Sequence, residues 1–318
     1  MKLTIVLTIF NKEPFLQRAF DSLLSQEDTI EGEYEVLAVN DGSTDGSAKI
    51  IDYYSKQDSR VRVITQQNQG LSMARNNGTD AALGEYVWFV DADDVLSPQS
   101  VRFICDAMIS KPDIIPIYAQ TEGKEGVRNC VPTSAHTGKD ILLSGKWQPC
   151  GVFNVFNREF LKENNLRFFP GIYHEDSEFT PRMLYAAKTV KVVPEVLYTV
   201  IHEPHSITQV PRAKRAFDYL VVAKKLYQFI VEKGELETEI GRVFCNRICA
   251  AINNGLGIIL KNSKDDQLRY NVSMQNNRHL IKAMKKSSIG RYKIEALFLD
   301  LFPGQSVRVY KVLRLMAK

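Results

Sequence analysis

Short apolar runs alternate with polar, glycine-bearing stretches over the first third of the chain. Leu3 to Phe10 reads as a buried strand, followed by Phe15, Leu16, Ala19, Phe20, Leu23 and Leu24 at helical spacing behind Pro14, a residue suited to a first helical turn. Tyr34 to Val39 is a second strand. It runs into Asn40-Asp41-Gly42-Ser43-Thr44-Asp45-Gly46, a turn cluster rich in helix-capping residues, and Ile50, Ile51 and Tyr54 give the next helix its buried face. Val61 to Ile64 is a third strand. Asn68-Gln69-Gly70 then turns into a helix carrying Ala74, Arg75, Gly78, Ala81 and Ala82, which Gly84 ends. Tyr86-Val87-Trp88-Phe89-Val90 is a fourth strand, and it drives into Asp91, Asp93 and Asp94. Four strand–helix alternations within about ninety residues predict a parallel sheet with crossover helices, whose ligands bind beyond the carboxyl ends of the strands.

The pattern is less regular afterwards. A helix is expected from Pro98 to Ser110, an apolar strand from Asp113 to Tyr118 and another from Cys150 to Phe156. The polar stretch from Thr121 to Pro149 reads as an irregular region or an antiparallel hairpin. His174-Glu175-Asp176-Ser177-Glu178-Phe179 opens a helix through Ala187, and Val190 to Val193 and Val196 to Ile201 look like short strands split by Pro194. Beyond Pro211 the periodicity is helical, first with Ala216, Phe217, Leu220, Val221, Tyr227 and Ile230 as one stripe, then from about Leu236 to Leu260. The last segment sets Val309, Val312, Leu313 and Met316 among Arg308, Lys311, Arg314 and Lys318.

With 318 residues, 44% hydrophobic and 25% charged, the chain can bury a sizeable core. Five cysteines, without Cys-x-x-Cys spacing, read as reduced packing thiols in a cytoplasmic protein. The apolar N-terminus lacks the cleavage site of a signal peptide, and no run approaches the ~18 apolar residues of a membrane span. Net charge is +4 but uneven. From Asn277 onward ten Lys/Arg face only Glu295 and Asp300, a local excess of +8 that leaves −4 elsewhere. Without interleaved aromatics this tail does not suit nucleic acid. It suits a solvated helix face or an anionic membrane surface.

Carboxylates crowded at a strand end repel one another unless a cation sits between them, and hard oxygen ligands suit Mg²⁺ or Mn²⁺. The bland alternative is an acidic turn with Asp94 or Ser97 capping the next helix. Neither a dinucleotide-binding Gly-x-Gly-x-x-Gly nor a P-loop is present.

Four blocks in fixed order, Thr4 to Asn11, Asn40 to Asp45, Asn68 to Gly78 and Asp91-Ala92-Asp93-Asp94, resemble the family 2 glycosyltransferases. The resemblance is strong over residues 1–110 and weaker to about 210, and Thr8-Ile9-Phe10 stands where the family often has Pro-x-Tyr. It implies an inverting, nucleotide-sugar-dependent enzyme with an α/β GT-A fold, a mostly parallel central sheet flanked by helices. The expected domains are 1–210, with a nucleotide half 1–110 and an acceptor half 111–210, and a helical extension 211–318. By the same resemblance Thr8, Phe10, Asn11, Glu13, Asp41, Gly42, Ser43, Arg75, Asp91 and Ala92 contact the nucleotide, with Asp41 accepting the uracil N3–H. Asp93 is the first choice to ligate Mn²⁺ or Mg²⁺, with Asp91 assisting and Asp94 competing. Asp176 is the base, and His205 (or His202) a diphosphate or metal contact. The implied partners are a UDP-sugar, a saccharide or polyprenyl-linked saccharide acceptor and an anionic membrane surface, with no nucleic acid. The alternatives are a non-catalytic nucleotide-sugar-binding scaffold and a sugar nucleotidyltransferase, though the latter wants a basic glycine-rich loop after the first strand, which Asn11-Lys12-Glu13 is not.

Overall fold

The computed structural model describes residues 1–201 and 212–316, which fall into two compact units: 1–171 with 183–204, and 172–182 with 205–318. His202 and His205 lie outside the described residues.

The first unit is built on β1 (Leu3–Ile9), β2 (Tyr34–Asn40), β3 (Val61–Thr65) and β4 (Tyr86–Asp91), in the order β3-β2-β1-β4 and all parallel. Every residue of β1 and β2 is buried, which explains why both are mostly apolar rather than alternating; the buried polar pair Thr4 and Glu35 bond to each other at 2.6 Å. The edge strand β3 alternates instead. Crossover helices α1 (Glu13–Leu24), α2 (Ser47–Gln57) and α3 (Leu71–Ala81) join them. α3 packs so closely on β1 that a Cβ at Gly78 would stand 2.4 Å from Val6 Cγ1. The register sets Thr8 beside Val39 and Asp91, so the carboxyl ends of β1, β2 and β4 finish level with one another. That shared edge carries the candidate chemistry.

Beyond β4 come β5 (Val95–Leu96), α4 (Ser100–Met108), β6 (Ile114–Thr121), β7 (Val127–Arg128), α5 (Gly138–Ser144), a 3₁₀ turn at Gly151–Phe153, β8 (Asn154–Asn157) and α6 (Arg158–Glu163). They lead to α7 (Glu175–Ala186) and β9 (Val193–Val200). β8 is antiparallel to both β4 and β6, β6 pairs in parallel with β9, and β9 is antiparallel to β5, so the sheet is mixed on this side.

Several local expectations are corrected. In the stretch read as an irregular region or an antiparallel hairpin, β7 does turn back antiparallel on β6, but α5 follows it, opened by a capping box between Thr137 and Asp140. α4 starts at Ser100 behind Gln99, so neither Asp94 nor Ser97 caps it. Cys150 to Phe156 is a 3₁₀ turn followed by the shorter β8. Pro194 does not divide two strands: β9 runs through it, and the β6–β9 register shifts between Ile117 and Ala119, opposite the proline. An irregularity there absorbs the missing N–H.

In the second unit α8 (Ala213–Glu232) and α9 (Glu239–Ile259) pack as a pair, joined by α10 (Lys264–Asn276), α11 (Arg278–Met284), α12 (Gly290–Leu301) and α13 (Ser306–Met316). The buried stripe of α8 runs through Ala216, Leu220, Ala223, Leu226 and Ile230, so Phe217, Val221 and Tyr227 sit outside the stripe assigned to them. All five cysteines are free thiols, and burial pushes that of Cys245 up to about 11. Among the described residues no helix is long and apolar enough to cross a membrane.

Candidate functional site

The loops after β1 and β2 are stitched to one another. Asn11, left-handed at φ 53°, donates its N–H to Ser43 Oγ (3.1 Å) and accepts from Thr44 N (2.8 Å) through Oδ1. Glu13 accepts from Gly46 N (2.7 Å) and donates its own N–H to Asp45 Oδ2 (3.0 Å). Asn11, Glu13 and Ser43 therefore have a structural task here: they fix the two loops as one surface. Phe10, expected in the nucleotide pocket, is 43% exposed on that surface. Such an aromatic face can stack against a planar ring.

Asp41 is buried, and its carboxylate faces the β3–α3 loop. Oδ1 accepts from Gln66 Nε2 and Gln69 N, and Oδ2 from Gly70 N, each at 2.8 Å. Gly42 sits at φ +74°, and a Cβ there would stand 2.8 Å from Asn68 N. Asp41 and Gly42 thus hold the start of α3 in place. α3 in turn carries Arg75, 1% exposed, whose guanidinium donates to Asp91 Oδ1 (3.0 Å) and lies over the Phe168 ring. Thr8 Oγ1 approaches the same oxygen at 3.4 Å.

The acidic turn after β4 divides its carboxylates. Asp91 is partly exposed, and Ala92 is buried behind it. Lys12 Nζ grips Asp93 Oδ2 at 2.7 Å. Burial, and then the charge of Asp91, raise the Asp93 carboxyl above its ordinary range. Asp94 turns inward. Its Oδ2 accepts from Tyr198 Oη (2.6 Å) and its Oδ1 from Ile201 N (2.8 Å), while Tyr198 Oη accepts from Asp91 N (3.2 Å). Burial, followed by the charge of Asp91, pushes Asp94 up to about 8. Asp94 thus clamps the turn to the end of β9, while Lys12 holds Asp93 and Arg75 holds Asp91.

The fit to a divalent ion follows from the donor set. Among the described residues no cluster of three or more His, Cys, Asp or Glu forms a closed cage. Two neighbouring carboxylates whose charges already strain against each other suit a hard cation that takes one or two protein oxygens and completes its sphere with phosphates and water.

Asp176 belongs to the second unit, in the first turn of α7 between Glu175 and Ser177. Its neighbour Glu178 is committed to Arg182 through two bonds of 2.7 and 2.6 Å. His174, left-handed at φ 65°, stacks on Tyr219 with ring centroids 3.9 Å apart. Burial, then the Arg215 guanidinium, push its imidazole down to about 4.

Two site residues escaped the sequence reading. Lys12 stands between Asn11 and Glu13, and nothing in that local sequence points to Asp93, 81 residues away. Tyr198 lies in an apolar strand, and its hydroxyl looks unremarkable until the fold brings it to Asp94.

The model of the family described as "Glycosyl transferase family 2" matches residues 4–179. The uncharacterized glycosyltransferase EpsJ of Bacillus subtilis (strain 168) is 34% identical over 240 residues, covering 71% of this chain and 67% of its own length. Among solved structures, S. aureus TarS 1–349 in complex with UDP-GlcNAc superposes with a TM-score of 0.79 at 18% identity, over 98% of this chain and 90% of that one. A mannosyltransferase from Pyrobaculum calidifontis, in complex with GDP-Man and Mn²⁺, does so at 0.54 and 15% identity, over 100% and 88%. These likenesses show a shared fold, the GT-A architecture expected of the sequence. With the family match covering more than half of the residues, all four sequence blocks among them, the chain is a glycosyltransferase and belongs to glycosyl transferase family 2.

Proposed function

We propose that the protein transfers a sugar from a UDP-sugar to a hydroxyl of a saccharide or lipid-linked saccharide in bacterial polysaccharide synthesis, inverting the anomeric centre. The observation that carries this is the shared edge of β1, β2 and β4, where Asp41, Asp91 and Asp93 are each held by a donor from another segment: Gln69 N, Arg75 and Lys12. The UDP-GlcNAc complex of TarS, a protein of the same fold, makes uridine the first choice of base.

In this reading Phe10 and the stitched loops receive the uridine. The Asp41 carboxylate accepts the uracil N3–H, a charge-assisted bond to a group already held by three donors. Arg75 holds the Asp91 carboxylate in place. A divalent ion, Mn²⁺ or Mg²⁺, held by Asp93 and Asp91, would supply Lewis-acid stabilisation of the departing diphosphate. Lys12 places a second positive charge against Asp93. Asp176 takes the proton of the acceptor hydroxyl as its oxygen attacks the anomeric carbon from the face opposite the diphosphate, and the single displacement inverts configuration. The domain division is proposed as 1–210 for transfer and 211–318 as a helical extension that favours an acceptor at an anionic membrane surface.

A thermal-shift screen of nucleoside diphosphates and their sugars, with and without Mn²⁺, ranks the donors directly, because a ligand that binds only the folded state stabilises it in proportion to its affinity. UDP and UDP-sugars should give the largest shifts, and turnover should release UDP rather than pyrophosphate. Asp176→Asn should bind donor as wild type does while losing about 10²–10⁴ in turnover. Pyrophosphate as product would reject transfer from a nucleotide-sugar, and loss of donor affinity in parallel with turnover would reject Asp176 as the base.

A further inference from the structure

In the second unit the two last described helices carry an outward apolar face. On α12, Ile294, Leu297, Phe298 and Leu301 recur at i, i+3, i+4 and i+7, all exposed and Leu301 by 69%. On α13, Leu315 and Met316 are exposed by 66% and 77%. Each helix also has a buried side, Ala296 and Leu299 on α12 and Val307 and Val309 on α13, so the outward stripe is a second apolar surface and not the core-facing one. A helix stripe of this width ordinarily faces a core.

α12 carries two acids next to the stripe, Glu295 and Asp300, the latter paired with Arg278 and Lys285 at 2.6 Å, and the other charges along it are cations. Arg291, Lys293, Lys311 and Arg314 are exposed beside it. A cavity of about 1040 Å³ opens against the same helices, lined by Arg215, Lys261, Arg291 and Arg314 together with Ile294 and Phe298. Glu295 is the one acid among its lining residues, and it is already engaged by Asn253 (2.6 Å) and Arg291 (3.4 Å). Protein–protein interfaces are depleted of lysine, and Lys293 and Lys311 are exposed next to this stripe. Leu, Ile and Phe along one side of a helix with Lys and Arg beside them are instead what a helix lying in a membrane interface presents.

We propose that α12 and α13 lie in the plane of an anionic membrane, with Ile294, Leu297, Phe298, Leu301, Leu315 and Met316 at the acyl boundary and the neighbouring cations among the lipid phosphates. This deepens the membrane-surface acceptor of the proposed reaction by naming the contacting face, but it stands on the second unit alone and on no step of the transfer.

Flotation of the whole chain with vesicles tests it. Binding to phosphatidylcholine vesicles containing phosphatidylglycerol should be strong, weak to phosphatidylcholine alone, and should fall as salt rises. The triple variant Leu297→Gln, Leu301→Gln, Leu315→Gln changes exposed residues only and should keep its circular dichroism and UDP affinity while binding about tenfold or more weakly. Lys293→Gln, Lys311→Gln, Arg314→Gln should lose about fivefold per cation, about a hundredfold together. Equal binding to both vesicle types, or unchanged partition of both variants, would overturn the proposal. So would an oligomer that the leucine variant dissociates while vesicle binding persists, since the face would then cover a second copy. UDP binding without vesicles reports separately on the donor site: its failure would sink the transfer reading and leave this one standing.

Discussion

Replacing Tyr198 by Phe removes one oxygen and disconnects three parts of the site. That hydroxyl accepts from Asp91 N and donates to Asp94 Oδ2, at a residue that is fully buried. A carboxyl raised to about 8 is mostly protonated at neutral pH, so loss of its hydrogen bond costs about 0.5–1.5 kcal/mol, and a buried N–H left without a partner costs about 1–3 more. Asp94 keeps its bond from Ile201 N, which offsets part of the loss. The net expectation is about 2–3 kcal/mol, against ~5–15 for a whole domain. Tyr118→Phe is the internal control: its hydroxyl is half-buried and makes one bond, to Val131 O at 2.9 Å, so about 1 kcal/mol is expected. Urea denaturation followed by tryptophan fluorescence measures both, because the two tryptophans, Trp88 and Trp147, lie in the first unit and report its transition. The midpoint should fall with the slope unchanged. Equal, small losses in the two variants would show that the Tyr198 hydroxyl does not join the acidic turn to β9.

Three further outcomes are expected. Gly42→Ala forces a Cβ into a left-handed backbone and within 2.8 Å of Asn68 N, so urea denaturation should show a loss of about 2–4 kcal/mol, with a reduced UDP-induced thermal shift. Asp93→Asn should abolish the Mn²⁺-dependent part of the UDP-induced shift, whereas Asp94→Asn should lower stability and keep that part; the reverse pattern would exchange their roles. His174 has a folded pKa of about 4, below its unfolded 6.5, so the unfolded chain takes the proton first. Its contribution is whole above pH 6.5 and is lost as pH falls toward 4, by up to about 3 kcal/mol before solvent screening. Denaturation across that window should slope less steeply in His174→Asn, and identical slopes would refute the buried neutral imidazole.

The parts legible in the sequence are those whose burial is uniform. β1, β2 and β4 are covered on both faces, so apolar residues dominate them without alternating, and the turn residues that punctuate them mark the carboxyl edge. α5 escaped because Ile141, Leu142 and Leu143 are too few to show a period, and only the Thr137–Asp140 box announces it. β9 was divided at Pro194 because a proline speaks against a strand, yet a register shift against β6 is a tertiary fact that no local pattern carries.

The candidate site shows the same boundary more sharply. Asp91, Asp93 and Asp94 are chemically alike and adjacent, so sequence gathers them without showing which partner each one takes. Those partners come from three distant segments: Arg75 from α3 answers Asp91, Lys12 from the β1–α1 loop answers Asp93, and Tyr198 with Ile201 from the end of β9 answers Asp94. Remove any one partner and the like charges of the turn lose a compensation that the other two cannot reach. The acidic turn can therefore take this arrangement only after β9, about a hundred residues downstream, has joined the sheet. Its geometry is a property of the assembled unit, and variants at Tyr198 should disturb the carboxylate pair without touching it.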